Sequence, residues 1–504
     1  MVEIIDYIKN NKKIFFLIVG FIFSVFSLGR FNISISIYIW PFCFLSYLHK
    51  SDKKIIPLVY VYLCLLFSNM IRWIGATINN IGVYFLLGFY FSIINVIPFI
   101  VDSIFYEKLP KSKSVFVFPL SVAFIEYILS YPPIANFNIY AYAHLDNITI
   151  IQIVSLFGCY FLSFIISLFS TVLDYSINVF IIENKISKYI YIYISIFLFI
   201  YFFGMIRLII PNDQNTINIA SSLGLSQKLY NDGEESELPI QTYLEYINST
   251  MKKASDSGAV IMTYAEEAFA IKEEDINNIL EPVQKMAFEF RIFVVLTLDI
   301  HYKNESYTNG ALLISDEGKI LIDYHKKHLV PFGEGGDYFS WKNKMKIVNT
   351  KIGKILLAIC YDIDFPWDIN SQSKKHFDLL IVPSWDYPGI AEYHSKEVRY
   401  RAIEGGINVM KNTADGVVAA FDVKGRMLTY FYGQNCEDYF IISTVHNKGI
   451  KTLYSYIEIF WNYLYFLALI IVLIHGKIKE CLFNKNRNKE SNSLNNGNEP
   501  NNIL

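Results

Sequence analysis

Charge is what this sequence has least of. Asp, Glu, Lys and Arg make up 18% of its 504 residues, against roughly 25% in an ordinary soluble domain, and this argues against a wholly soluble protein. Neither sign of charge dominates. With 44 basic and 46 acidic residues the formal net charge is −2, so the basic excess that marks nucleic-acid binding is missing. Cysteine is scarce as well, with six residues at 43, 64, 159, 360, 436 and 481. That is too few for a disulfide framework in a chain of this length, and no two stand as C-x-x-C, which excludes a zinc knuckle. The first apolar run, 14–29, follows Lys9, Lys12 and Lys13 as a signal peptide would, but no small-residue cleavage site comes after it. It reads as a retained helix. No internal repeat is evident.

What the sequence has in abundance is apolar surface: 53% hydrophobic and 17% aromatic residues, with 37 Tyr and 41 Phe. These are concentrated before residue 211. A membrane-spanning helix needs about 20 mostly apolar residues, and eight runs are candidates: 14–29, 34–49, 55–72, 82–105, 115–132, 148–173, 189–210 and 453–475. Lys and Arg accumulate in cytoplasmic loops. Here Lys9, Lys12 and Lys13, then Lys50, Lys53 and Lys54, then Lys108, Lys111 and Lys113, then Lys185 and Lys188 fall in every second polar segment. The alternate loops carry only Arg30 and Arg72, and the loop 132–147 carries neither residue type. Seven spans in residues 1–211 therefore place the polar region 212–448 outside the cytoplasm. An eighth within 449–476 returns the chain inside, where Lys477, Lys479, Lys485, Arg487 and Lys489 begin the tail 477–504. The Asn- and Ser-rich composition of that tail predicts disorder.

Residues 212–448 alternate short β-rich runs with amphipathic stretches, the pattern of an α/β domain. Candidate strands are 259–263, 293–298, 311–315, 319–323, 355–359 and 379–382, and candidate helices are 240–253, 276–290 and 393–403. Asp316-Glu317-Gly318-Lys319 reads as a hairpin turn. Three reactive residues follow strand runs: Glu266, Lys326 and Cys360. Functional groups gather at strand ends in such folds. A cysteine attacks only as thiolate. A carboxylate can take its proton, and an ammonium can stabilise a tetrahedral oxyanion, so the three form a self-sufficient set for acyl transfer through a thioester. On spacing alone, a cysteine after an apolar strand is more often a buried structural residue. The flanking residues favour the reactive reading.

Tyr324-His325-Lys326-Lys327-His328-Leu329-Val330-Pro331-Phe332-Gly333-Glu334 resembles the Y-x-K-x-H-L-V-P-F-G-E block of apolipoprotein N-acyltransferases, members of the nitrilase superfamily. Ile359-Cys360-Tyr361 resembles that family's nucleophile segment, and Glu266-Glu267-Ala268 sits where the family has P-E-[TS]-A. Arg401-Ala402-Ile403-Glu404 and Asn412-Thr413-Ala414-Asp415-Gly416 resemble its R-A-I-E and N-T-x-G segments. The order of helices, polar domain and last helix also matches, over nearly the whole chain.

The resemblance implies a multi-span helical membrane domain and an αββα nitrilase-like sandwich on the outer face of a bacterial inner membrane. It implies a triad of Glu266, Lys326 and Cys360, with Glu334, Tyr361 and Asp362 in support. The implied reaction moves an acyl chain from a membrane phospholipid to Cys360, then to the α-amine of a diacylglyceryl-cysteine at an apolipoprotein N-terminus. No metal or other cofactor is implied, and no nucleic-acid partner. The sequence departs from the family pattern at Tyr264-Ala265, where Trp-Pro is usual, at Asp362, where Glu is usual, and at Ser384-Trp385-Asp386, which is closer to soluble nitrilases. These departures bear on substrate choice more than on the triad.

Two alternatives stand beside that reading. One is a membrane-anchored nitrilase-type amidase acting on a small amide, and the other is a membrane scaffold with an idle outer domain. Glu126, inside a predicted span, reads as a structural partner rather than a catalytic group. Segment 335–345, with Tyr338, Phe339, Trp341 and Met345, reads equally as a mobile lid against lipid or as a packed loop. Cys436 reads as a free thiol.

Overall fold

The computed structural model describes residues 12–495, apart from 52, 76–80, 132–134, 136, 213–214, 226–237, 332, 335–337, 341–343, 434–435 and 437. The N-terminal half is helical: α1 (Lys12–Val25), α2 (Ser36–His49), α3 (Ile55–Arg72), α4 (Ile81–Phe105), α5 (Val117–Leu129), α6 (Cys159–Glu183) and α7 (Lys188–Ile209). Eight spans were expected. Among the described residues six helices are long and apolar enough to cross a membrane: α3, α4, α5 with the turn before it, α6, α7 and the C-terminal helix. The other two, α1 and α2, have 14 residues each, about 21 Å at 1.5 Å per residue, short of a hydrocarbon layer of about 30 Å. The apolar character of α2 serves the bundle interior: Ile37, Trp40, Phe44, Leu45 and Leu48 are all buried.

The span expected at 148–173 is also corrected. Two single turns, Ile148–Ile151 and Val154–Phe157, precede α6, and Gly158 breaks the helix between them and Cys159. Its φ of +78° suits a residue without Cβ, and an added Cβ would stand 2.3 Å from the Tyr454 ring.

The polar region folds as two facing sheets. One contains β1 (Thr216–Ser222), β2 (Ile261–Tyr264), β3 (Phe269–Lys272), β4 (Phe293–His301), β5 (Tyr307–Ile314), β6 (Ile320–His325) and β13 (Phe440–His446). Its order is β13-β1-β2-β4-β5-β6, with β3 paired to β4. The other contains β7 (Val348–Thr350), β8 (Gly353–Leu357), β9 (Leu379–Trp385), β10 (Asn408–Ala414), β11 (Val417–Phe421) and β12 (Met427–Tyr432), in the order β12-β11-β10-β9-β8-β7. Alternation along the strands divides two cores. Phe293, Val295, Ala311 and Leu313 face the second sheet, while Val294, Leu296, Leu312 and Ile314 pack under α8 (Ile240–Asp256) and α9 (Ile276–Phe290). The outer face of the second sheet is covered by α10 (Pro366–Ser373) and α11 (Ala391–Gly405), which supply Ile369, Val398 and Ala402. The result is the expected αββα sandwich.

The last helix, α12, runs from Leu453 to Asn495. The segment expected to be a disordered tail therefore continues the helix for most of its length, with Lys, Glu and Leu, all good helix formers, among its residues. Residues 496–504 lie outside the described residues.

Candidate active site

Strands β1, β2 and β4 run parallel in one sheet, and β8, β9 and β10 run parallel in the other. Their C-terminal ends meet where the sheets face each other, and the backbone N–H of Glu266 donates to the Ser384 carbonyl across that junction at 3.3 Å. Glu266 follows β2, Lys326 follows β6, and Cys360 opens a 3₁₀ turn, Cys360–Asp364, after β8.

Cys360 has φ +44°, a left-handed conformation uncommon for any residue other than glycine and often found where a side chain must be aimed. Asp362 clamps this turn. Its Oδ2 accepts the Ile359 N–H at 3.0 Å and the Tyr324 hydroxyl at 2.8 Å, and its Oδ1 accepts the His328 N–H at 2.9 Å. The Asp362 carboxylate thus joins the cysteine turn to the lysine block and does not face the reacting groups. Tyr361 turns its ring against Phe365 and its phenol toward the membrane domain, where it takes a hydrogen bond from the backbone of Ala135.

The three reactive side chains converge. Lys326 Nζ donates to Glu266 Oε1 and to Glu334 Oε1, each at 2.7 Å. The Cys360 thiol donates to the Trp385 carbonyl at 3.7 Å, and the Glu266 carboxylate lies within interacting reach of the same thiol. Glu334 is tied from behind, its Oε2 accepting the Val330 N–H at 2.8 Å. All three reactive groups are buried, and burial governs their proton affinities. It raises the Glu266 carboxyl above its ordinary value; Lys326 pulls the other way, and Glu334 adds repulsion. Burial works against the charge of Lys326, yet Glu266 and then Glu334 hold its pKa well above the usual lysine range. Burial, reinforced by Glu266, pushes the Cys360 thiol far up, with Lys326 opposing. The resting site therefore favours a protonated thiol and a charged ammonium.

Several residues of the site were not singled out from the sequence. Asn309 Nδ2 donates to Glu266 at 2.7 Å and to Glu267 at 3.0 Å, spacing two acidic side chains. Behind the cysteine turn lies a buried ionic cluster. Lys411 Nζ donates to Asp386 Oδ2 at 2.6 Å, His394 Nδ1 meets Asp386 Oδ1 at 2.6 Å, and His394 Nε2 faces Asp364 at 3.5 Å. Burial pushes Asp386 up, but Lys411 and His394 together hold it below the usual carboxylate range. The legible signal was Lys411, a charge in the middle of the apolar strand β10, which requires a buried partner.

Cys360, Asp386 and His394 offer donor atoms within 4.8 Å of one another, as do Glu266, Glu267 and Glu334. In each group a lysine ammonium already pairs with a carboxylate. Of the described residues in the 335–345 segment, Tyr338, Phe339 and Met345 pack, whereas Ser340 and Lys344 are exposed. Tyr338 stacks on Tyr307, the Phe339 N–H donates to the Tyr307 carbonyl at 3.1 Å, and Met345 is buried. Cys436 is a free, half-buried thiol. Glu126 Oε1 accepts the Tyr140 N–H at 2.8 Å.

Arg401 and Glu404 lie away from the triad, on the face of α11 that meets the membrane helices. Arg401 pairs with Glu404 at 3.1 Å, and Glu404 Oε1 accepts the N–H of Cys159, the first residue of α6, at 2.8 Å. A carboxylate there satisfies an orphan donor of the helix and complements its dipole.

The family model for the apolipoprotein N-acyltransferase N-terminal domain matches residues 19–172, and that for carbon-nitrogen hydrolases matches residues 237–435. Among curated proteins, the chain is 25% identical over 231 residues to the apolipoprotein N-acyltransferase of Haemophilus ducreyi, covering 40% of this chain and 45% of that one. It is 23% identical over 316 residues to that of Borreliella burgdorferi, covering 55% and 59%. An omega-amidase of Saccharomyces cerevisiae is 25% identical over 194 residues, 34% of this chain and 66% of that one. The chain thus spans about half the length of the curated N-acyltransferases it matches. A solved amidase of Nesterenkonia sp. AN1, a mutant in complex with butyramide, aligns at TM-score 0.40 and 18% identity, covering 49% of this chain and 95% of that one.

Proposed function

Because the chain belongs to the apolipoprotein N-acyltransferase family of the nitrilase superfamily, we propose that it transfers an acyl chain from a membrane phospholipid to the N-terminal α-amine of a diacylglyceryl-cysteine lipoprotein. The observation that carries this reading is the buried contact of Glu266, Lys326 and the Cys360 thiol, in a chain that also has the N-acyltransferase membrane domain.

Glu266 takes the thiol proton, and the sulfur attacks an ester carbonyl of the phospholipid. Lys326 stabilises the oxyanion. The C–O bond to glycerol breaks, Glu266 returns its proton to the departing oxygen, and a lysophospholipid leaves an acyl thioester on Cys360. The acceptor amine then attacks that carbonyl and loses a proton to Glu266. The C–S bond breaks and the thiol is restored. In this scheme Glu334 is the second carboxylate that holds Lys326 in place, Tyr361 joins the site to the membrane domain, and Asp362 fixes the turn. In this reading the α/β domain lies on the extracytoplasmic face of a bacterial inner membrane, a placement supported by the alternation of Lys and Arg.

The competing amidase reading draws on Ser384-Trp385-Asp386 and on the likeness to an omega-amidase. The membrane domain weighs against it, since a small-amide hydrolase needs none. The purified chain, mixed with phospholipid, should show one added acyl chain on Cys360 by intact-mass spectrometry. Cys360→Ala should show none, and Cys360→Ser nearly none. Acyl-enzyme formation in Cys360→Ala, or turnover of small amides without any acyl-enzyme from phospholipid, would reject the proposal.

A further inference from the structure

The membrane domain holds a cleft between α4, α5 and the segment leading to Tyr140, with about 460 Å³ of empty space counted out to its open mouth. Much of its wall is apolar, including Phe91, Ile94, Val122 and Ile125. Set into that wall are buried polar atoms with no hydrogen-bond partner: Oε2 of Glu126, Oδ1 of Asn138 and the hydroxyls of Tyr90 and Tyr140. Glu126 is only 5% exposed. Its other oxygen is taken by the Tyr140 N–H at 2.8 Å. The Ser163 hydroxyl also approaches the carboxylate, but neither contact brings a positive charge, and among the described residues no Lys, Arg or His pairs with it. A buried acidic group with an unpaired oxygen in a membrane domain is costly, and marks a place where a partner is expected to arrive.

The unpaired atoms define that partner. An amide oxygen and an ionised carboxylate only accept hydrogen bonds, whereas a phenol both donates and accepts. A phosphate or ester group would take the phenol hydrogens of Tyr90 and Tyr140 but leave an ionised Glu126 and Asn138 Oδ1 unpaired. A primary ammonium brings three donors and a positive charge. The cleft also adjoins the nucleophile turn. Tyr361, the residue after Cys360, is bonded to the backbone of Ala135 and lies within electrostatic reach of Tyr90, and both of those line the cleft.

We propose that this cleft is a holding site for the amine-bearing end of a lipid acceptor before transfer, with its ammonium on Glu126 Oε2 and Asn138 Oδ1 and the lipid portion along the apolar wall; the amine leaves one proton on Glu126 and moves on to attack the thioester. The inference rests on the acyl-transfer reading above. An amine can also come from an aminophospholipid donor, so the experiment separates the two sources.

Full-length protein is assayed in two stages: thioester formation from phosphatidylglycerol or phosphatidylethanolamine vesicles, then transfer to a diacylglyceryl-cysteinyl peptide with a free α-amine. Glu126→Gln keeps an oxygen for the Tyr140 N–H and turns the unpaired acceptor into a donor. The acceptor KM should rise about 10–100-fold, as for a lost hydrogen bond to a charged group, with thioester formation from either lipid falling far less. Tyr140→Phe removes a second unpaired oxygen, and the acceptor KM should rise by a smaller factor. Thermal unfolding in detergent confirms that each variant is folded.

A loss of thioester formation confined to phosphatidylethanolamine would put the donor's amine in the cleft and overturn the acceptor assignment. Equal loss in both stages, or unchanged KM in both folded variants, would overturn the site altogether. If the wild-type protein forms no thioester, the acyl-transfer reading has failed instead.

Discussion

In the proposed reaction Glu266 takes a proton from a thiol that burial holds far above its ordinary value, and it is suited to this because burial raises its own pKa too. The proton-accepting form is the carboxylate, which dominates above that raised pKa. Thioester formation should therefore increase with pH through a range above the ordinary carboxylate value of about 4.3, with the three groups titrating as a set. Glu266→Gln cannot accept a proton, and should slow this step by roughly 10²–10⁴-fold. Raising the pH supplies thiolate directly and should recover part of that loss. Lys326→Met removes an oxyanion donor, at a cost of about 10²–10³-fold. It also removes the charge that holds Glu266 down, so the rising limb should move to higher pH with much less recovery. The check is the pH dependence of acyl-enzyme formation in both variants. Equal recovery in both, or in neither, would show that the two roles are wrongly divided.

Elements were legible where one physical signal dominated. Helix α9 was expected over the span observed, because its apolar stripe has the helical period and an exposed face opposite. The strands bearing Glu266, Lys326 and Cys360 were expected within a few residues for the same kind of reason. Strands β10 and β11 were missed: both are buried along their whole length, so neither β10, with its buried Asn, Lys and Thr, nor the short apolar run of β11 shows the alternation of a half-buried strand. The reactive trio was legible because each residue ends a strand. Asn309 and His394 were not, because only the tertiary fold brings a mid-strand amide and a helix histidine to the same place. The break before α6 was missed because apolar composition alone does not distinguish one long span from two turns and a helix. Gly158 makes the difference, and its replacement tests the point. Ala in the left-handed region costs roughly 1–2 kcal/mol, and its Cβ would also have to displace the buried Tyr454 ring at the start of α12. Gly158→Ala should lower the thermal unfolding temperature in detergent by several degrees. An unchanged temperature would mean that the α6 junction adapts to a Cβ.

At the scale of the molecule, the two halves are joined through α11. Tyr393 donates to the Phe137 carbonyl at 2.8 Å, Tyr400 to the Ala141 carbonyl, Lys396 pairs with Asp146 at 2.8 Å, and Glu404 holds the first N–H of α6. On its opposite face the same helix carries His394, next to Asp386 and the cysteine turn. The membrane domain and the candidate active site therefore share one helix, and in the proposed reaction a substrate anchored in lipid would meet a site tied to the membrane domain. This arrangement has one orientation compatible with the proposed reaction. The Phe137–Asp146 segment, which contacts α11, carries no Lys or Arg, whereas the opposite ends of the helices carry the lysines that favour the cytoplasm. Because α1 and α2 are short, the orientation of α5 and α6, rather than a count of spans, is the decisive quantity. A reporter fused after residue 147 should signal from outside the cytoplasm, and one fused to the C-terminus from inside. A cytoplasmic signal after residue 147 would put the α/β domain on the same side as the lysines. An acceptor displayed on the outer face could not then reach Cys360, and the lipoprotein reading would fall even if thioester formation stood.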